Sequence, residues 1–94
     1  MELNDADPAG TVGEMSDREL WARAVDGGRE AFGRIFDRHG KAVYNHAFRR
    51  TADWSEAEDL TSTVFFHAWR RRAEIVLDRE SALPWLLGIA DGLL

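Results

Sequence analysis

Residues 55–72 read SEAEDLTSTVFFHAWRRR, and this stretch decides the fold. Ser55 and Glu58 have the spacing of a capping box, in which each side chain satisfies a backbone N–H of the other's turn. Acids gather in the first turn (Glu56, Glu58, Asp59) and Arg70, Arg71 and Arg72 close the last. That polarity suits the helix macrodipole at both ends. The spacing predicts a helix over 55–72.

Its two faces differ. At about 100° per residue, Ala57, Leu60, Thr61, Val64 and Ala68 fall on one stripe, flanked by Phe65 and Trp69. That stripe is expected to face a core. Asp59, Ser62, Thr63, Phe66 and Arg70 fall on the opposite face, where a large aromatic is out of place. A lone exposed apolar residue is ordinary, but an aromatic between charged neighbours is also the composition of an interface hot spot. A partner is expected to dock on this face.

Working outward, residues 1–15 hold Glu2, Asp5, Asp7 and Glu14 with no basic residue and no apolar period. They are expected to form a disordered acidic tail. Ser16 and Glu19 make a second capping box opening a short helix with Leu20, Trp21, Ala24 and Val25 inside. Gly27-Gly28 ends it. From Arg29 to about Arg50, Phe32, Ile35, Phe36, Val43, Ala47 and Phe48 recur at helical spacing. His39 lies on that stripe and is expected to be a core-edge histidine bonded to a neighbour. Gly40 marks either a bend or a close helix contact. Residues 51–54 connect to the deciding helix, and 73–80 read as a loop retaining some helix at its start. A last helix begins at Ser81 or Ala82, with Pro84 tolerated in its first turn. It is apolar nearly all round (Leu83, Trp85, Leu86, Leu87, Ile89, Leu93, Leu94) and has no stop signal, which suggests a fragment of a longer protein. The expected fold is all-α: a compact bundle of about four helices over residues 16–94 behind a disordered tail.

The totals exclude several functions. The chain has 94 residues, 45% hydrophobic and 31% charged, as a small soluble domain does. It has no cysteine, so disulfides and thiolate chemistry are impossible. No run approaches the roughly 18 apolar residues of a membrane span, and no secretory signal opens the chain. A cytoplasmic location is expected. His39 and His46 stand too far apart for a helical metal pair, and Gly27-Gly28 lacks the context of a phosphate loop. Neither an enzyme nor a metal or cofactor is expected. Net charge is −5, yet the arginines cluster, and the local field governs approach to phosphates. Arg70-Arg71-Arg72 has two readings: a complement to the helix C-terminus, or a phosphate-contacting edge beside aromatics. Trp54, Trp69 and Trp85 could lie together at that end.

Taken in order, Glu19-Leu20, Gly27, Glu30-Ala31-Phe32, Asp37-Arg38-His39, Ala42-Val43-Tyr44, Ala57-Glu58-Asp59-Leu60-Thr61, Val64-Phe65, Ala68-Trp69-Arg70, Trp85-Leu86 and Ile89-Ala90 resemble the N-terminal domain of bacterial extracytoplasmic-function sigma factors. The resemblance runs from about Ser16 to Leu94. It implies a helical domain whose third helix docks on the clamp helices of the largest subunit of core RNA polymerase, through Asp59, Ser62, Thr63, Phe66 and Arg70. It also implies capture of the melted, single-stranded non-template minus-ten promoter element, here by His67, Arg71, Arg72, Arg79 and Ser81, with Trp85 as core support. The minus-thirty-five-reading second domain of that family is absent from this stretch.

The chain departs from the family twice. Ser62-Thr63 stands where Gln followed by an acid is usual. Asp91-Gly92 stands where a polar or basic residue precedes a promoter-reading Asn. An aspartate facing phosphates is unfavourable, and glycine offers no donor to a base. The alternative is therefore a protein-interaction module only, bound by an anti-sigma factor or self-associating.

Overall fold

Helix α1, Asp17–Val25, starts where the sequence says it should, and both arms of the capping box are made. The Glu19 N–H donates to Ser16 Oγ at 3.1 Å, and the Ser16 N–H donates to Glu19 Oε1 at 2.9 Å. Gly27 ends the helix at φ +94°, a left-handed conformation that favours glycine. The computed structural model describes residues 15–77 and 80–94. The tail expected to be disordered therefore lies outside the described residues, save Met15, which packs against the core.

Helix α2 spans Arg29–Thr51, α3 Trp54–Arg70 and α4 Leu83–Leu93, with a 3₁₀ turn at Arg72–Glu74 between the last two. All described regular structure is helical, as expected. One boundary differs. The N-cap of α3 is Asp53, whose carboxylate accepts the Glu56 N–H at 2.9 Å, and Ser55 sits exposed in the first turn. Two overlapping Asx/Ser-x-x-Glu patterns compete here, and the preceding corner selects the earlier one. Ala52 takes φ +55°, its N–H reaches the Phe48 carbonyl at 2.7 Å, and Trp54 then stacks on Phe48 with centroids 4.1 Å apart. Asp53→Ala is accordingly expected to cost about 1 kcal/mol, a melting shift of roughly 4–8 °C, and Ser55→Ala only a few tenths. Thermal unfolding of the two variants checks this.

The core lies where all four helices meet. Leu20, Trp21, Ile35, Val43, Val64, Phe65, Ala68, Leu86 and Ala90 are buried together. Helices α2 and α3 share the largest interface, and Ala57 and Ala68 of α3 are fully buried. Gly40 is buried, and a Cβ there would stand 3.4 Å from the Phe36 ring of its own helix.

Asp17 ties three helices together. Only 4% exposed, its carboxylate accepts from Arg38 Nη1 at 2.9 Å and lies 2.6 Å from His39 Nε2. It also takes the Ala82 N–H at 2.7 Å, where α4 begins. His39 is thus the bonded core-edge histidine expected. Burial pushes the Asp17 carboxyl up, but the Ala82 N–H, His39 and Arg38 outweigh it and hold the group below its ordinary value. Among the described residues no helix is long and apolar enough to cross a membrane, and no cluster of potential ligands could hold a metal.

Candidate functional site

The outward face of α3 is built as its periodicity predicts. Asp59, Ser62, Phe66 and Arg70 are exposed and Thr63 is half-buried. The Thr63 hydroxyl turns back to donate to the Asp59 carbonyl at 2.9 Å, so it contributes mainly its methyl to the surface. Phe66 is 56% exposed, and the Arg70 guanidinium lies 5.6 Å from its ring centroid. The pair forms a cation–π contact, with an aromatic body presented outward and a charge beside it.

A groove of about 580 Å³ opens next to this face, between the end of α3 and α4. His67 and Arg71 line one side, and Pro84, Trp85, Ile89 and Leu93 the other, with Gly88 and Gly92 between them. A Cβ at either glycine would meet nothing within 4 Å, so the absence of side chains widens the groove. An i, i+4 glycine pair in an otherwise apolar helix was the signal for this groove. Sequence reasoning noted only Gly92, as a missing donor.

The expected strand-binding residues separate into groups. His67 and Arg71 meet at the groove. Arg72 does not join them, because α3 ends at Arg70 and the chain turns it inward. Its Nε donates to the Ala24 carbonyl at 2.7 Å and its Nη1 to the Trp69 carbonyl at 2.8 Å, while the guanidinium sits 3.7 Å over the Trp69 ring. Ser81 precedes the N-cap of α4, Ala82; its hydroxyl accepts the Leu83 N–H at 3.1 Å, and it does not line the groove. Arg79 lies outside the described residues.

Two further expectations need correction. Asp91 does not confront an approaching phosphate. It turns to α2, with His46 Nε2 2.7 Å and Arg50 Nη2 3.5 Å from its Oδ1. The His46 hydrogen bond, with the charge of Arg50 adding to it, holds its carboxyl below the ordinary value. The tryptophans do not share one end either. Trp54 opens α3 and Trp69 nearly closes it, which separates them by roughly 22 Å at 1.5 Å per residue. Trp85 is half-buried and meets Trp21 edge-on at 4.9 Å, so it both supports the core and walls the groove.

Comparison with known proteins agrees with this architecture. The family described as Sigma-70 region 2 matches residues 35–94. The chain is 37% identical over 75 residues to the ECF RNA polymerase sigma factor BldN of Streptomyces coelicolor, a match covering 80% of this chain and 28% of that protein. It is 32% identical over 76 residues to the ECF RNA polymerase sigma factor SigK of Mycobacterium tuberculosis, covering 80% of this chain and 41% of the relative. The RNA polymerase sigma factor NccH of Alcaligenes xylosoxydans xylosoxydans is 32% identical over 73 residues, covering 78% and 39%. The chain thus spans well under half the length of these relatives. No solved structure matches it. On the family match and the relatives together, the chain belongs to the Sigma-70 region 2 family, as a domain of the extracytoplasmic-function type.

Proposed function

We propose that this domain serves transcription initiation by joining two partners at one helix. The outward face of α3 docks on the clamp helices of the largest subunit of bacterial core RNA polymerase, in the cytoplasm. The adjoining groove takes the melted non-template strand of the minus-ten promoter element. The observation that carries this reading is that Phe66 and His67, consecutive in α3, face different surfaces: Phe66 a charged, exposed face and His67 the groove. A single rigid helix therefore fixes the polymerase contact relative to the strand contact.

The groove suits a base and its phosphate. Trp85 offers a flat aromatic surface and Ile89 an apolar one, and Arg71, whose Nε lies 3.6 Å from the exposed Glu74 carboxylate, adds positive charge at the rim. With Asp91 paired to His46 and Arg50, its charge is partly neutralised and turned toward α2. Promoter reading through a side chain at Gly92 is not available, so recognition rests on shape and stacking. Arg71→Ala is expected to weaken binding of single-stranded DNA about three- to tenfold and to lower the slope of its salt dependence by about 0.7, the value for one phosphate contact on a single strand. Arg72→Ala is expected instead to lower the melting temperature, since its donors hold the fold together. Fluorescence anisotropy titrations at several salt concentrations, beside thermal unfolding, separate the two.

A second reading is favoured by the side chain missing at Gly92 and by the exposed, apolar Leu93 at the groove edge. In it the domain only meets another protein, such as an anti-sigma factor. No binding of the folded domain to core polymerase or to single-stranded DNA would favour it.

A further inference from the structure

At the corner between α2 and α3, three aromatic rings lie nearly parallel at the surface. Trp54 stacks on Phe48 with centroids 4.1 Å and planes 22° apart, and Tyr44 lies 6.1 Å from Trp54 at 18°. Tyr44 and Phe48 are half-buried, but Trp54 stays 66% exposed. One face of the indole is enough to cover its neighbours. The rest is left to solvent.

The backbone holds it there. Ala52 takes a left-handed conformation, φ +55°, that glycine adopts at lower cost. The Thr51 hydroxyl donates to the Ala47 carbonyl at 3.1 Å and accepts the Asp53 N–H at 3.3 Å. The Asp53 carboxylate then caps the first turn of α3. Trp54 is thus presented by three fixed residues, which lowers the ordering cost of any contact it makes. A fixed indole beside half-buried rings has the make-up of a contact hot spot.

The flanking charges identify what it meets. Lys41, one turn before Tyr44 on α2, is exposed, and so is Glu58 on α3. Glu58 is near enough to the rings that, after burial, it helps push the Tyr44 phenol up. Among the described residues, neither Lys41 nor Glu58 has an ion-pair partner. The rings are therefore bordered by a cation on one helix and an anion on the other. A partner surface of single sign would attract one and repel the other. A second copy, related by a two-fold axis, brings each Lys41 to the Glu58 of its mate.

We propose that the patch of Tyr44, Phe48 and Trp54 is a self-association surface, on which two copies of this domain meet with reciprocal Lys41–Glu58 pairs at the rim. Three rings fall well short of the roughly 800 Å² that each partner gives to a standard interface. The dimer is accordingly weak. Phe66 stands roughly 18 Å farther along α3, at 1.5 Å per residue, so its exposed face stays open in the dimer.

Sedimentation equilibrium of the chain from about 10 μM to about 1 mM reads the association directly. The unaltered chain is expected to move from the mass of one copy toward that of two. Trp54→Lys weakens association at least about thirtyfold, the loss of a hot spot, with circular dichroism showing that it is folded. Lys41→Glu and Glu58→Lys leave the rings untouched, and each weakens self-association about tenfold by making two attractive contacts repulsive. An equimolar mixture of those two variants regains the affinity of the unaltered chain, which a purely structural role for either residue would not produce. Leu94→Lys, at the exposed apolar end of α4, changes nothing. A single-copy mass for the unaltered chain at about 1 mM would overturn the proposal. So would association lost in Leu94→Lys rather than Trp54→Lys, or a mixture no tighter than its components. Loss of core polymerase binding in a folded Trp54→Lys would also overturn it, by assigning the patch to the polymerase.

Discussion

Phe66→Asp is expected to reduce binding to purified core RNA polymerase by roughly 30-fold or more, the effect of losing an aromatic hot spot. Folding stability should change by less than about 1 kcal/mol. The asymmetry follows from position. Phe66 is 56% exposed in the domain, so its ring contributes little to the core and keeps its apolar area available for a partner. Arg70 over the ring holds it in place, limiting the side-chain freedom lost on docking. An aspartate there removes the apolar surface and places a second acid on a face that already carries Asp59. Thr63→Ala on the same face should cost far less, because its hydroxyl is already turned back onto the helix. Surface plasmon resonance on immobilised polymerase, with thermal unfolding of the same samples, reads both quantities.

The largest stability effect is expected at Asp17. Asp17→Ala leaves the Ala82 N–H and the His39 ring without their buried acceptor, although Arg38, 28% exposed at its side chain, regains water. Breaking a buried charged network of this kind costs about 3 kcal/mol, a large share of the roughly 5–15 kcal/mol that holds a domain. The melting temperature should fall by roughly 12–24 °C. The pH dependence has a definite sign. The folded-state carboxyl is held below its ordinary value, so the folded state binds the proton less readily than the unfolded one. The contribution is therefore complete above the unfolded value and is lost as pH falls through the folded value. Asp91 and Glu19 are shifted the same way, so the wild type alone cannot isolate Asp17. The difference in stability between wild type and Asp17→Asn, followed from neutral pH downward, should shrink below about pH 4.

What the sequence made legible was local. Capping at Ser16, the left-handed turn at Gly27 and most of the helix stripes are each written within a few residues and appear as expected, but Phe36, placed on the α2 stripe, is 45% exposed, and Val25, placed on the inner side of α1, is 38% exposed. Phe66 was legible too, because a period of 3.6 placed it opposite the buried stripe. Features resting on distant partners were not. Arg71 and Arg72 are indistinguishable in a run of three arginines. Only the end of α3 at Arg70, and a carbonyl 48 residues away on α1, turn one inward and leave the other at the groove. Asp91 looked like a charge facing phosphates because its partner His46 lies 45 residues earlier in the chain. Asp17 drew no expectation from the sequence, and nothing near it in the chain discloses that it accepts from α2 and from the start of α4 at once.

The most direct test of the central claim is hydroxyl-radical footprinting of the domain with and without core polymerase. Phe66 and Trp54 are both largely exposed, at 56% and 66%, and both are reactive aromatics on α3. They stand at opposite ends of that helix, so each serves as the control for the other. Docking through the outward face predicts that polymerase protects Phe66 and leaves Trp54 oxidised at its unbound rate. Protection of Trp54 with Phe66 unchanged, or no protection of either in a folded domain, would contradict it.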